Sequence, residues 1–471
     1  MSTLHVIILA AGHGTRMKSE QPKVLHLLGG LALVEHALKL AYGIKPRGIT
    51  VVVPAEHAAI KEVLDRHQTK KIACGLAVQR EQLGTASALK SGLACVTAGT
   101  QHVVVLNADM PFVSLQSIRQ LERQHNRQRA VVSLLTADVR EPKGFGRIIR
   151  GGNGLVNAIV EEKDATSQQR LISEINLGVY CLAVAFLNKN IGKIKNQNRQ
   201  GEYYITDLPR IAVKQGLGVT ALKVKDPLEA LGVNSQRHLY VLNHIFYQQQ
   251  REKFMKEGVC LLGSEIFIDA GVKMEGGTVI ESPCYIKGET QIAKNCRIET
   301  GCTLRGSVIA EGALIKSHTY IDGARVGVAC QVGPFAHLRP GTHLSERAKV
   351  GNFVETKKTQ MGFASKANHL AYLGDAEIGS GVNVGAGTIT CNYDGYKKYK
   401  TVLEDGVFIG SDTQLVAPVR VGAGAYVGAG TTVTDDVGAN SLVISRVRQK
   451  EIPDWATKYR EKNNSGQDQK K

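Results

Sequence analysis

The stretch IGSDTQLVAPVRVGAGAYVGAGTTV, residues 409–433, decides the architecture of half of this chain. Ile409, Leu415, Val421, Val427 and Val433 stand six residues apart, and Ile409, Val421 and Val427 are each followed by glycine. The same spacing runs through Ile286, Ile292, Ile298 and Leu304, and again through Val326, Val332, Leu338, Leu344 and Val350. A helix repeats every 3.6 residues and a strand every two, so neither produces a strict six. A hexapeptide β-helix does: each hexad is one flat side of a triangular coil, and its aliphatic residue points into the shaft. Two stretches interrupt the count. One runs from Lys357 to about Tyr372, and the other, Cys391 to Asp405, is polar and aromatic and should stand out as a loop. A regular prism wall offers little chemistry, so the interruptions are where it is expected.

Residues 1–228 read differently. Val6–Leu9, Ile49–Val53, Val103–Leu106 and Val131–Leu135 are short, apolar and β-prone, and helical segments such as Leu33–Tyr42 and Ala58–His67 lie between them. Strands alternating with helices predict a doubly wound α/β sheet, which binds ligands beyond the carboxyl ends of its strands. Residues 229–257 read as a linker helix, with Leu239, Leu242, Ile245 and Phe246 on one side, and residues 258–471 as the β-helix domain with a disordered tail from about 461.

Bulk properties narrow the function. The chain has 471 residues, a net charge of +17 and only 5% aromatics. Its cations are spread rather than clustered, which fits anionic small substrates and speaks against nucleic acid. No apolar run is long enough to insert in a membrane, and Val6–Ala11 is too short for a secretory signal, so a cytoplasmic protein is expected. Nine cysteines without a CxxC pair fit reduced thiols, with Cys284 and Cys302 one coil apart as packing neighbours.

Two features of the first domain carry chemistry. Leu9-Ala10-Ala11-Gly12-His13-Gly14-Thr15-Arg16-Met17 follows the first strand, and Pro22-Lys23 follows it in turn. Small residues let backbone N–H groups approach a phosphate, while Arg16 and Lys23 add positive charge. The loop is neither a dinucleotide fingerprint, since Met17 stands where a third glycine is needed, nor a Walker loop. A later strand ends in Asn107-Ala108-Asp109, which sets a carboxylate where it can hold Mg²⁺ against phosphates.

The motif Leu9–Met17 with its downstream Pro22-Lys23 resembles the nucleotidyltransferases that join a nucleoside triphosphate to a sugar 1-phosphate. Further matches follow in order: Gln79–Thr85, Gly144–Ile148, Val160–Asp164, Glu174–Gly178, Gly201–Asp207 and Gly232–Asn234. With the hexapeptide half attached, the chain resembles, over nearly all of residues 4–450, the bacterial bifunctional N-acetylglucosamine-1-phosphate uridyltransferase and glucosamine-1-phosphate N-acetyltransferase family. That resemblance implies a Rossmann-like domain followed by a left-handed parallel β-helix, UTP and acetyl-CoA as co-substrates, Mg²⁺, and a homotrimer of parallel shafts with acetyl sites completed by a neighbour. Acetylation comes first and uridylyl transfer second, and the product feeds peptidoglycan and, in Gram-negative cells, lipopolysaccharide.

The resemblance also implies roles for residues. Leu9, Ala10, Ala11, Gly12, Gln79, Gly84 and Thr85 would cradle the uridine nucleotide, with Arg16 and Lys23 neutralising the triphosphate. Asp109 and Asn234 would hold Mg²⁺, and Gly146, Glu161 and Asn176 would touch the sugar. Asn107-Ala108 stands where the family often has Tyr-Gly, so a ring contact is lost there while the metal carboxylate is kept. In the β-helix, Asn368–Asp375 matches the acetyltransferase motif, which makes His369 the general base. Arg339 and Lys357 would bind the sugar phosphate, Tyr372 and Asn383 the sugar, and Ala386, Asn392, Tyr393, Ser411, Ala429 and Arg446 acetyl-CoA.

Three rivals stand against this reading. A β-helix serving as scaffold alone would lack His369, Lys357 and the Asn392-Tyr393-Asp394-Gly395 loop, all of which are present. A zinc site on His337, His343 and His369 would need ligands to meet across subunits, because the first two are one hexad apart. An acyl intermediate on Cys391 would need a base, and none is adjacent in sequence.

Overall fold

The computed structural model describes residues 3–12, 14–68 and 71–464 and divides into two compact units, Met1–Gln249 and Gln250–Lys471. In the first unit the main sheet runs Val219–Lys223, Val132–Asp138, Glu174–Ala183, His102–Asn107, Leu4–Leu9, Gly48–Pro54, Ala73–Gln79. The central strands, such as Val103–Leu106, are buried along their length, as a sheet covered on both faces requires. The sheet is not wholly parallel: Glu174–Ala183 runs antiparallel to both neighbours, and Arg147–Arg150 and Val156–Val160 branch off as an antiparallel pair. The branch carries Gly146 and Glu161 toward the carboxyl edge of His102–Asn107. The loops after Leu9, after Gln79 and after Asn107 leave that same edge.

The expected linker helix is present as Gln236–Lys256, but its first half is not a free connector. Leu239, Leu242 and Phe246 pack on Met17, Leu28, Leu33 and Val233, and Asn243 closes the contact by accepting from the Gly29 amide at 3.0 Å and donating to the Leu27 carbonyl at 3.2 Å. Burial of that stripe ties the first half of the helix to the first unit, and the division between units falls inside the 229–257 segment. Near the tail, Trp455–Asn464 is helical, with Trp455 and Tyr459 stacked 4.9 Å apart. Residues 465–471 lie outside the described residues.

The second unit is a stack of parallel coils in keeping with a left-handed β-helix. Its core is a single column of buried apolar residues, mostly aliphatic, from Phe254 to Val433. The buried positions Val332, Leu338, Leu344, Val350, Thr356, Met361, Ala367, Leu373, Ile378, Val384 and Thr390 show why the sixes fade after Val350. One side of certain coils is five residues long, so Leu344 pairs with Met361 and Met361 with Ile378, seventeen residues on rather than eighteen. The expected interruption at Lys357–Tyr372 is therefore no break in the coil. It runs from the end of the nine-residue strand Lys349–Lys357 through most of a second, Lys366–Gly374, whereas the other strands of this unit span two to four residues. The second interruption is a true insertion: Ile378 pairs with Leu403, and the residues after Cys391 leave the wall before the chain returns at Thr401. Cys284 and Cys302 are buried neighbours in the shaft, and all nine cysteines are free thiols.

Two buried histidines, His5 and His125, and the half-buried His102 beside them should make the first unit acid-sensitive. His5 bonds Thr50 at 2.9 Å, while His125 bonds Ser133 at 2.7 Å and His102 at 3.0 Å. Burial lowers His5 and His125 from 6.5 to about 4 and lowers His102 as well. A depressed folded-state pKa favours the fold above the unfolded value of about 6.5 and loses that contribution as pH falls toward 4. His5 and His125 should each cost on the order of 2 kcal/mol over that window. The urea midpoint of the first unit should therefore fall between pH 7 and pH 5, with a shallower fall in His125→Gln; an unchanged midpoint would contradict this account.

Candidate active sites

In the first unit, a cavity of about 570 Å³ is lined by Leu9, Ala10, Ala11, Gly12, Lys23, Gln79, Gly84, Thr85, Asn107 and Asp109 among others. His13 lies outside the described residues. A second cavity of about 310 Å³ is lined by Arg16, Gly146, Glu161, Asn176 and Asn234, and it shares Leu9, Thr85, Asn107 and Asp109 with the first. The structure thus brings together all the expected residues of this site, and the shared wall puts Asp109 between two compartments.

Lys23 Nζ donates to Asp109 Oδ2 at 2.5 Å and to Asn234 Oδ1 at 2.7 Å, and Arg16 donates to Asn234 Oδ1 at 3.2 Å. Two hard oxygens thus converge on one cationic point. A carboxylate and an amide oxygen, completed by phosphate oxygens and water, form a donor set that suits Mg²⁺, which seldom uses an all-protein cage. The ammonium of Lys23 marks where a cation between them fits.

The sugar-side cavity is held by buried polar contacts. Asn176 donates to the Tyr180 hydroxyl at 2.7 Å and accepts from the Gly178 amide at 3.1 Å. Burial pushes the Glu161 carboxyl above its ordinary value, opposed by the Thr206 hydroxyl donating at 3.0 Å. Arg147 is buried between the Phe145 carbonyl and Glu162, with 2.6 Å to the carboxylate, which fastens the loop carrying Gly146. Asn107 donates to the Gly178 carbonyl at 3.3 Å and so ties the wall shared by the two cavities. Sequence reading missed Lys143, Tyr180, Thr206 and His238 in this cavity. Thr206 lay inside a matched motif; Lys143 and His238 carried no spacing signal.

In the second unit the expected residues fall at two corners of the prism. Asn352 and His369 are register partners, and the amides of Gly387, Asp412 and Gly430 bond the carbonyls of Leu370, Ala386 and Ser411. The residues after them, Phe353, Leu370, Gly387, Asp412 and Gly430, share the left-handed backbone of this corner. Asn352, His369, Ala386, Ser411 and Ala429 therefore form one column on successive coils. Coils are about 4.8 Å apart, so His369 and Ala429 lie roughly 14 Å apart along the shaft. Only small residues fit beside the column: a Cβ on Gly385 would stand 2.6 Å from Ser411 N, and one on Gly410 would stand 2.5 Å from Ala429 N. A long thin acyl carrier lying along this column would present its acyl end to His369.

The other corner gathers cations. Arg339 pairs with Glu355 at 2.7 Å. The Lys398 ammonium, and behind it Arg339, hold the Lys357 amine below its ordinary value, so positive charge is concentrated here. Lys398 was missed; it sits in the inserted loop, in the run Tyr396-Lys397-Lys398, and only its return to Lys357 reveals it. Asn392, of the same loop, is nearly buried and donates to Asp375 Oδ2 at 2.5 Å, while Tyr393 is exposed. One protomer thus separates Asn392 and Tyr393 from the Ala386 column. Tyr372 stands in register with Glu355, Asn383 with Lys366, and Arg446 lies in an exposed segment after the last coil. Among the described residues no group of three metal-binding side chains occurs, so His337, His343 and His369 do not meet in a protomer.

Comparison with known proteins agrees with this division. A nucleotidyl transferase family model matches residues 5–227, a model described as the GMPPB C-terminal domain matches residues 267–366, and a bacterial transferase hexapeptide model of six repeats matches residues 400–435. The bifunctional protein GlmU of Geotalea uraniireducens is 42% identical over 459 residues, covering 97% of this chain and all of the relative. That of Pelobacter propionicus is 43% identical over 464 residues, with 98% and 100% covered, and that of Marinobacter nauticus is 41% identical over 456 residues, with 97% and 99% covered.

Gly84 offers a direct test of the first cavity. Its φ of +108° is closed to side chains, and a Cβ would stand 2.6 Å from the Tyr203 carbonyl oxygen. Gly84→Ala should push the two walls apart and weaken nucleotide binding by at least about tenfold, a cost of about 1.4 kcal/mol. Calorimetric titration with a nucleoside triphosphate checks it.

Proposed function

The chain belongs to the family of the bifunctional GlmU proteins, and we propose how its residues divide that family's two activities. It acetylates glucosamine 1-phosphate with acetyl-CoA and then transfers UMP from UTP to N-acetylglucosamine 1-phosphate, releasing pyrophosphate. The observation that carries the assignment of the first site is the convergence of Lys23, Asp109 and Asn234 at the wall shared by two cavities.

In the uridylyl reaction a phosphate oxygen of the sugar attacks the α-phosphorus of UTP, one P–O bond forms, and the bond to pyrophosphate breaks. Charge builds on groups that are already anionic, so positioning and fixed positive charge suffice and no protein nucleophile is needed. The small residues Leu9–Gly12 with Gln79, Gly84 and Thr85 hold the nucleotide, and Arg16 and Lys23 face its phosphates. Asp109 and Asn234 would hold Mg²⁺, which supplies further neutralisation of the triphosphate. Gly146, Glu161 and Asn176 hold the sugar in the adjoining cavity.

In the acetyl reaction the amine of glucosamine 1-phosphate attacks the thioester carbonyl. The new N–C bond forms, the C–S bond breaks, and coenzyme A leaves as thiolate. His369 takes the proton the amine must lose. Arg339, Lys357 and Lys398 bind the phosphate, Tyr372 and Asn383 the sugar, and Ala386, Ser411 and Ala429 line the coenzyme's path.

Asn392, Tyr393 and Arg446 also belong to that coenzyme site, and their separation from the Ala386 column is the argument for assembly. In a homotrimer of parallel prisms, the cationic corner of one subunit can face the His369 column of the next. Among the described residues no helix is long and apolar enough to cross a membrane, and free thiols with UTP and acetyl-CoA as substrates support a cytoplasmic setting.

Two outcomes test the division. Asp109→Asn should abolish UDP-N-acetylglucosamine formation while coenzyme A release continues, and His369→Ala should do the reverse; folded variants that lose both reactions would sink it. Mixing Lys398→Ala with His369→Ala subunits should restore acetyl transfer above either alone, because some seams then carry both intact corners. Sedimentation should give three protomers per particle.

A further inference from the structure

His369 Nδ1 lies 2.8 Å from Asn352 Oδ1, and the two residues face each other in register on Lys349–Lys357 and Lys366–Gly374. These long strands share a ladder that includes Val350↔Ala367, Val354↔Ala371 and Thr356↔Leu373, whose side chains are buried, so the backbone on both sides of the pair is fixed. Their coils are also in close contact: a Cβ on Gly351 would stand 1.9 Å from the Asn368 carbonyl oxygen. Phe353 and Leu370, at φ 58° and 43°, turn the chain just after each partner.

We infer that Asn352 is a positioning residue for acetyl transfer: its side-chain oxygen accepts from His369 Nδ1–H and so keeps the lone pair of Nε2 free for the proton of the sugar amine. The inference rests on His369 being the general base. A neutral imidazole carries one N–H, and an acceptor at Nδ1 selects the tautomer whose Nε2 is bare. The bond also fixes the ring plane on a side chain that is otherwise exposed. Asn352 does this without charge, so the imidazolium gains no ion pair that would hold the proton after transfer. The charged side chains on the two strands are Lys349, Glu355, Lys357 and Lys366, and the strand packed beyond, Asn383–Val384, carries none. Glu355 is paired with Arg339 and Lys357 lies beside Lys398; among the described residues none of them bonds His369.

The test uses the full chain, with uridylyl transfer as an internal control. Asn352→Leu should lower kcat for acetyl transfer about 10- to 100-fold, the usual loss on removing an orienting partner, with KM for glucosamine 1-phosphate little changed. Asn352→Asp, nearly isosteric, keeps the acceptor and adds a charge that favours imidazolium. It should retain most of kcat, while the acid limb of its kcat/KM profile moves to higher pH. The inference is overturned by a folded Leu variant with wild-type kcat, by a change in KM alone, or by an Asp profile superposable on the wild type. Acetyl transfer surviving in His369→Ala would instead remove the base assignment on which the inference stands.

Discussion

In the second half of this protein everything depends on one packing constraint: each coil must drop its inward side chains onto those of the coil before it. Burying one aliphatic side chain contributes roughly 1.5–3 kcal/mol, so a column from Phe254 to Val433 holds the coils in strict register. Register in turn decides chemistry. It stacks Asn352, His369, Ala386, Ser411 and Ala429 at one corner although they are scattered over the sequence, and it leaves the inserted loop as the one place where the chain can leave the wall. The first half obeys a looser constraint. There a sheet collects the loops at its carboxyl edge, and one lysine clamped between Asp109 and Asn234 joins them.

The two constraints differ in how far sequence reveals them. Apolar strand runs and the six-residue spacing named both architectures, because both are patterns of burial. The loop Leu9–Met17 and the Asn107–Asp109 turn were legible because phosphate chemistry needs small residues and fixed charge at a strand end. What failed to show was of another kind. The antiparallel strand Glu174–Ala183 is as apolar as its parallel neighbours, so composition does not betray its direction. The apolar stripe of the helix Gln236–Lys256 marked a docking surface, but its partners, Met17 and Leu28, lie far away in sequence and were not named by it.

The fading sixes are the more instructive case. Loss of the spacing after Val350 reads as an interruption, and chemistry is expected in interruptions. The structure keeps the coil and shortens one side to five residues, with Met361 and Ile378 still inward. What sets this part of the wall apart is its nine-residue strands, which give His369 a longer ladder than any other position of the unit has. Lys398 shows the opposite limit. It lies in a real insertion, but its meaning depends on the loop's return path to Lys357, which no local pattern encodes.

These differences bear on how each half tolerates change. In the first unit the clamp of Lys23, Asp109 and Asn234 does not pass through Asn107, which bonds the Gly178 carbonyl instead. A residue on the cavity wall can therefore vary while the charged centre stays. Among the described residues the second unit has no comparable charged clamp. The base column and the cationic corner are held apart by the width of a prism face, and Asn392 is already bound to Asp375 on the cationic side. A column set this way answers to the register of the coils, so a small shift in register would be felt at His369 before it was felt in the stability of the shaft.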